Sequence, residues 1–250
     1  MTIRRTILFL TVIPLFALLS YAQQKPGSHW SYDGAGGPTH WGDLSSDFSA
    51  CKTGDQQSPI NITRPVVSEL PAIKFDYKPA ILKVIDNGHT IQVNYPPGSH
   101  IQVGNQTYQL LQFHFHHPSE EQIDGKSHDF VVHLVHQDAE QHKAVVAVLA
   151  DQGQVNPVIE AVLSHLPKAK EQEITTNVTI DAADLLPPTH SYYTFPGSLT
   201  TPPCSEGVTW LVLQKPVTLS ASELSRFTGL YPHNARPVQP LNGRKVLASH

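Results

Sequence analysis

The chain has 250 residues, 40% of them hydrophobic and 15% charged, long enough to bury a sizeable core and too apolar for a disordered polyelectrolyte. Lys+Arg 17 against Asp+Glu 21 gives a formal charge of −4, so no basic surplus points to nucleic acid. The unusual counts are His 15, Pro 21 and Cys 2. Histidine at that density points to metal or proton chemistry without locating it.

Met1 to Ala22 reads as a cleavable secretory signal: Arg4 and Arg5, an apolar run from Ile7 to Leu19 broken by Thr11 and Pro14, then Ser20, Tyr21 and Ala22 before Gln23. The run is short for a ~20-residue membrane span. The mature chain, residues 23–250, is therefore expected to be exported, periplasmic or secreted, and free of the membrane after cleavage. In an oxidising compartment Cys51 and Cys204 are expected to pair. Chain entropy puts an upper figure of roughly 5 kcal/mol on a crosslink closing so long a loop.

Proline and glycine punctuation runs throughout, with no linker and no internal repeat. Between the turns lie short segments of β type: 80–85, 90–95, 108–116, 130–136, 144–150 and 208–213. Strict alternation, as in His89-Thr90-Ile91-Gln92-Val93-Asn94-Tyr95, marks a half-buried strand. Helices are expected at 156–164 and at 220–228, where Ser220 caps and Glu223 completes a capping box. These elements describe one mainly β domain with small peripheral helices.

Residues i and i+2 of a strand project from one face, so His114 and His116 can aim two imidazoles at one point. A third ligand from a neighbouring strand would leave a fourth position open, as in catalytic zinc. His117, His128, His136 and His142 crowd the region, so number alone does not select that ligand. Parity places His133 on the face of Val131 and Val135, and His136 on the other.

Gln112-Phe-His-Phe-His116, Pro118-Ser-Glu120, His133-Leu-Val-His136, Asn87-Gly-His89, Gln57-Ser-Pro-Ile60, Ser198-Leu-Thr-Thr-Pro-Pro203 and Asn234-Ala-Arg-Pro237 together resemble the α-class carbonic anhydrases, most closely the exported bacterial type. The resemblance runs from about Trp30 to Leu241. It implies a large, mostly antiparallel β-sheet with short surface helices, and reversible hydration of carbon dioxide to bicarbonate and a proton. It further implies Zn2+ on His114, His116 and His133, with Gln112 and the Asn234 carbonyl supporting the first two. Thr200, with Thr201 beside it, is expected to orient the attacking hydroxide while donating to Glu120. His89 would relay the proton, aided by Tyr32, Asn87 and Gln92, and Val135, Val145, Leu199 and Trp210 would wall the carbon dioxide site. Sulfonamide and anion inhibitors are the implied ligands, and a homodimer is one expected assembly.

The sequence departs from that family at the support of His133. The family places a glutamate two residues before this histidine; here Val131 stands, which cannot accept a hydrogen bond, while Glu121 occupies the usual position of a histidine. Either Glu121 reaches into the space beside Val131 and accepts from His133, or it is solvated and His133 relies on water. His128 and Phe195 replace usual tyrosines and are read as local repacking. Two other functions compete: a weakened zinc-binding protein on the same scaffold, and a cupin-type metalloenzyme. His114-x-His116 and Glu120 fit the cupin motif, but Tyr108 and Ser127 stand where it requires glycine.

Overall fold

The computed structural model describes residues 29–250; the secretory-signal reading of Met1–Ala22 lies outside them. Among the described residues no helix is long and apolar enough to cross a membrane.

A sheet of 13 strands forms the body. Its main path runs Glu173–Ile180, Ala80–Asp86, Ile91–Asn94, Gln106–His116, Phe130–Gln137, Lys143–Gln152, Glu206–Leu213, Tyr192–Ser198, Leu247–Ala248 and Val66–Val67. Neighbours are mostly antiparallel. Lys143–Gln152 instead pairs parallel with Glu206–Leu213 and Val217–Leu219, as Leu247–Ala248 does with Val66–Val67. One wide sheet is not the double-sheet jelly roll of a cupin, and that reading falls.

Alternation sorts each central strand onto two faces. On one, Phe113, Phe115, Phe130, Val132, Leu134 and Val146 join the main core, covered by Ile159 and Phe227 from the helices Pro157–Leu163 and Ala221–Leu230. On the other, Val131, Val135, Val145 and Trp210 form a second apolar cluster with Ile60 and Phe195. Both expected helices are present. Asn156 caps the first through the N–H groups of Val158 and Ile159, and Ser220 with Glu223 closes a capping box on the second. Strands at 173–180 and 192–198 are not among the expected elements, although Ile, Thr, Val, Tyr and Phe in them favour strands; Asn177 and Pro196 interrupt the runs.

The register across the sheet matters most for function. His114 pairs directly with His133, and with Gln92 on its other side. One step along, Asn94, Gln112, Val135, Val145, Trp210 and Phe195 lie in a single transverse row. That row passes from amides to aliphatic and aromatic side chains across five strand pairings. A polar and an apolar side thus flank one point on the same face.

Cys51, in the short helix Ala50–Thr53, is disulfide-bonded to Cys204 across a sequence separation of 153. The bond tethers the loop that begins at Leu199, closed by Leu199 N–H to Ser205 C=O (3.0 Å) and Cys204 N–H to Thr201 C=O (2.8 Å). Gly197 sits where the backbone comes close to its neighbours: a Cβ there would lie 2.1 Å from Ser58 Oγ and 2.7 Å from Trp210 Cδ1.

Candidate metal centre

Three imidazoles converge. His114, His116 and His133 each offer a ring nitrogen, and those atoms all lie within 4.8 Å of one another. Each second nitrogen is held from behind. His114 Nδ1–H donates to Gln112 Oε1 (2.9 Å), and His116 Nδ1–H to the Asn234 carbonyl (2.7 Å). His133 is turned the other way: its Nε2–H donates to Glu121 Oε2 at 3.2 Å, so Nδ1 faces the centre. Glu121 is fully buried, which excludes the solvated alternative for it. Val131, two residues before His133, is also buried and packs with the apolar cluster.

Burial, and then the charge of His133, pulls the His114 imidazole down to about 3. His116 is likewise held well below its ordinary value by burial and the neighbouring imidazoles. Both are therefore neutral lone-pair donors at physiological pH. Around His133 burial acts in the same direction, but the carboxylates of Glu121 and then Glu120 outweigh it and raise the imidazole. His116 Nε2 is buried with no hydrogen-bond partner. An orphaned lone pair in a three-imidazole set fits a zinc ion, whose catalytic sites take three protein ligands and keep one position open.

Glu120 stands over this point. Its Oε1 accepts the Arg236 backbone N–H at 2.8 Å, and its Oε2 lies 3.6 Å from His116 Nε2 and 3.8 Å from His133 Nδ1. Burial raises the carboxyl to about 7, against the charge of His133, the Arg236 N–H and the nearby hydroxyl of Thr200, while Glu120 Oε2 is buried with no hydrogen-bond partner. Thr200 is itself buried.

A cavity of about 110 Å³ opens beside His114 and His116 and is lined by Tyr32, Asn87, His89, Gln92 and Thr201 among others. Gln92 links the amides, accepting from Asn87 Nδ2 (3.3 Å) and donating to Asn94 Oδ1 (2.7 Å). Asn87 also caps the turn: its Oδ1 takes the N–H groups of His89 (3.0 Å) and Thr90 (2.9 Å), with Gly88 at φ +83 between them. His89 lies flat on Trp30, ring centroids 3.6 Å apart and 8° from parallel, and His29 stands 6.2 Å further out. Burial lowers the His89 imidazole, the His29 charge adding to it. On the opposite side Val135, Val145 and Trp210 are buried, with Leu199 packed against them. Trp210 meets His133 edge-on at 4.9 Å, and Phe195 lies parallel to Trp210.

Two contributors carried no assigned role in the sequence reading. Arg236 orients Glu120 through its backbone while its buried guanidinium bonds Gln57 Oε1 (2.9 Å), Ser58 C=O (2.7 Å) and Cys51 C=O (3.0 Å). Trp30 is the platform under His89. The Asn234-Ala-Arg-Pro237 motif was the available signal for the first; no local signal marks the second.

Three imidazoles set between an amide-lined cavity and a dry wall on a single wide sheet form a centre that could hold one metal ion. Residues 36–250 match the family model described as eukaryotic-type carbonic anhydrase. A carbonic anhydrase of Neisseria gonorrhoeae is 44% identical over 247 residues, covering 97% of this chain and 98% of that protein. One of Pectobacterium carotovorum is 43% identical over 241 residues, covering 95% and 98%. Among solved structures, a hyperthermostable carbonic anhydrase from a hydrothermal vent chimney superposes with a TM-score of 0.86 at 46% identity, covering 89% of this chain and 100% of that one. The α-carbonic anhydrase of Thermovibrio ammonificans, in complex with sulfanilamide, gives 0.85 at 42%, covering 88% and 99%. The chain belongs to the α, or eukaryotic-type, carbonic anhydrase family.

Proposed function

We propose that the chain is an exported zinc carbonic anhydrase that interconverts carbon dioxide and bicarbonate. The observation that carries this reading is the convergence of three back-supported imidazoles at the boundary between a polar and an apolar row. Bound by His114, His116 and His133, zinc supplies Lewis acidity that brings the pKa of water to ~7, so that hydroxide is available at neutral pH.

The chain's own groups do the rest. Glu120, with one oxygen fixed by the Arg236 N–H, accepts the Thr200 hydroxyl hydrogen. The Thr200 oxygen is left as an acceptor, so it orients an incoming O–H and turns the attacking lone pair toward the substrate. Thr201, on the same tethered loop, faces the cavity and takes part in positioning water. Carbon dioxide, small and apolar, is received by Val135, Val145, Leu199 and Trp210, which exclude water from its carbon. The proton leaves through ordered water held by Tyr32, Asn87 and Gln92 to His89, whose position at the cavity lets it pass the proton to buffer. Sulfonamides and small anions compete at the open position.

Stopped-flow hydration of carbon dioxide by the zinc-loaded chain, with and without sulfanilamide, tests the reading. Fast hydration abolished by the inhibitor is the expected result. A fully zinc-loaded chain that is no faster than buffer would leave the weakened zinc-binding protein as the better description.

A further inference from the structure

We infer that Glu121 selects which nitrogen of His133 meets the metal, and that it does so from a loop rather than from the strand carrying the ligand. The three imidazoles are not equivalent: His114 and His116 present Nε2, whereas His133 presents Nδ1. That orientation requires a proton on Nε2, buried where water does not reach, and the ring is 1% exposed. An unsatisfied buried N–H destabilises its site, and with no acceptor the ring would be free to change tautomer.

On the strand of His133 and on Lys143–Gln152 beside it no acceptor side chain stands next to His133, and on the other neighbouring strand Gln112 Oε1 is already taken by His114 Nδ1–H. Val131 and Val135 flank His133 on its own face, and Ala147 stands opposite on the next strand. Among the described residues the acceptor for His133 Nε2–H is Glu121, at 3.2 Å. Its Oε1 also lies 3.2 Å from His133 Nε2 and is buried without a hydrogen-bond partner. Such a buried carboxylate is retained for what it accepts.

The loop is built to hold it there. Ser119 Oγ donates to the Glu121 carbonyl (2.7 Å) and accepts the His128 N–H (2.9 Å). Gln122–Ile123 then pairs with Asn61–Ile62, and Asn61 Oδ1 accepts the Gly125 N–H at 2.8 Å. Consecutive residues thereby take two parts: Glu120, which the proposed function uses to orient Thr200, and Glu121, which holds His133. Metal retention and hydroxyl orientation depend on one short segment. This inference rests on the proposed function only in taking the triad as zinc ligands.

The test uses the full zinc-loaded chain and reads metal release, not turnover. Zinc transfer to excess dipicolinate is followed for the parent, Glu121→Gln, Glu121→Leu and the double variant Glu121→Ala/Val131→Glu. Glu121→Gln keeps the shape and an acceptor oxygen, so release about 10-fold faster is expected; Glu121→Leu removes both charge and acceptor and should be about 100-fold faster. Restoring a carboxylate from the strand should bring the double variant back to within about 3-fold of the parent, which a merely structural role for Glu121 would not do. In the zinc-loaded parent, nitrogen NMR should show His133 protonated at Nε2, with that signal shifted in Glu121→Gln. Should Glu121→Leu fail to fold, the isosteric glutamine variant and the spectrum decide. Release rates for Glu121→Gln within 2-fold of the parent, or a His133 protonated at Nδ1, would overturn the inference. Absence of hydration activity in a parent that holds zinc tightly would overturn only the proposed function.

Discussion

Behind the metal strand, on the opposite face from His133, His136 and Tyr77 form a buried polar pair whose strength can be measured. The Tyr77 hydroxyl lies 2.8 Å from His136 Nε2, and His136 Nδ1 lies 3.3 Å from the Ala144 carbonyl. The carbonyl can only accept, so Nδ1 carries the proton and the tyrosine donates to Nε2. His136 is 0% exposed and Tyr77 8%. Tyr77→Phe removes the donor and strands a buried acceptor, which costs about 1–3 kcal/mol. His136→Leu strands the tyrosine hydroxyl at a similar cost of about 1–3 kcal/mol. The double variant replaces both partners with apolar groups and should lose no more than either single change, so the coupling is expected at about 1–3 kcal/mol. Burial, only partly offset by its backbone hydrogen bonds, holds His136 down to about 3 in the folded protein. Unfolded, the same ring titrates near ~6.5. Its folded pKa is the lower one, so its contribution is fully present above pH ~6.5 and is lost as pH falls, at about 1.4 kcal/mol per unit, toward the folded value. Urea unfolding at pH 7.5 and pH 5.0 checks both parts, with the slope m unchanged if the denatured state is unaffected. A Tyr77→Phe variant within ~0.5 kcal/mol of the parent, or an acid slope unaltered in the double variant, would refute the reasoning.

Thr200→Val keeps the shape of the loop residue and removes its hydroxyl. A hydrogen bond to a charged group is worth about 1.5–3 kcal/mol, so kcat/KM for hydration should fall roughly 10- to 150-fold with zinc content unchanged. His89→Ala should slow turnover roughly tenfold or more in weak buffer, and added imidazole should partly restore it. Equal rates in weak and strong buffer would remove His89 from proton transfer. Replacing Cys51 and Cys204 together by serine should lower stability by about 2–5 kcal/mol while zinc stoichiometry stays at the parent value, read by calorimetry and metal analysis.

Much of the site was legible locally. Alternation alone put His114 and His116 on one face and separated His133 from His136, because side-chain direction in a strand depends only on position parity. The capping residues Ser220 and Glu223 mark their helix for the same reason, because the bonds close within three residues; Asn156 caps the other helix in the same way in the structure. The family motifs supplied roles beyond this, but they could not say where Glu121 goes, since a loop residue has no parity.

Composition and local spacing determined a mainly β, histidine-rich domain with two imidazoles on one strand face. Only the tertiary structure decided the remainder. The direct pairing of His133 with His114 is a matter of register, set between strands and not within either. The supports of the triad come from elsewhere in the chain: the Asn234 carbonyl behind His116, the Arg236 N–H on Glu120, and the Glu121 carboxylate on His133 Nε2. A backbone carbonyl carries no residue identity, and a buried carboxylate looks like a surface one until packing removes its water. Long-range approach created those contacts, and with them the difference between a pair of strand histidines and a centre able to hold a metal.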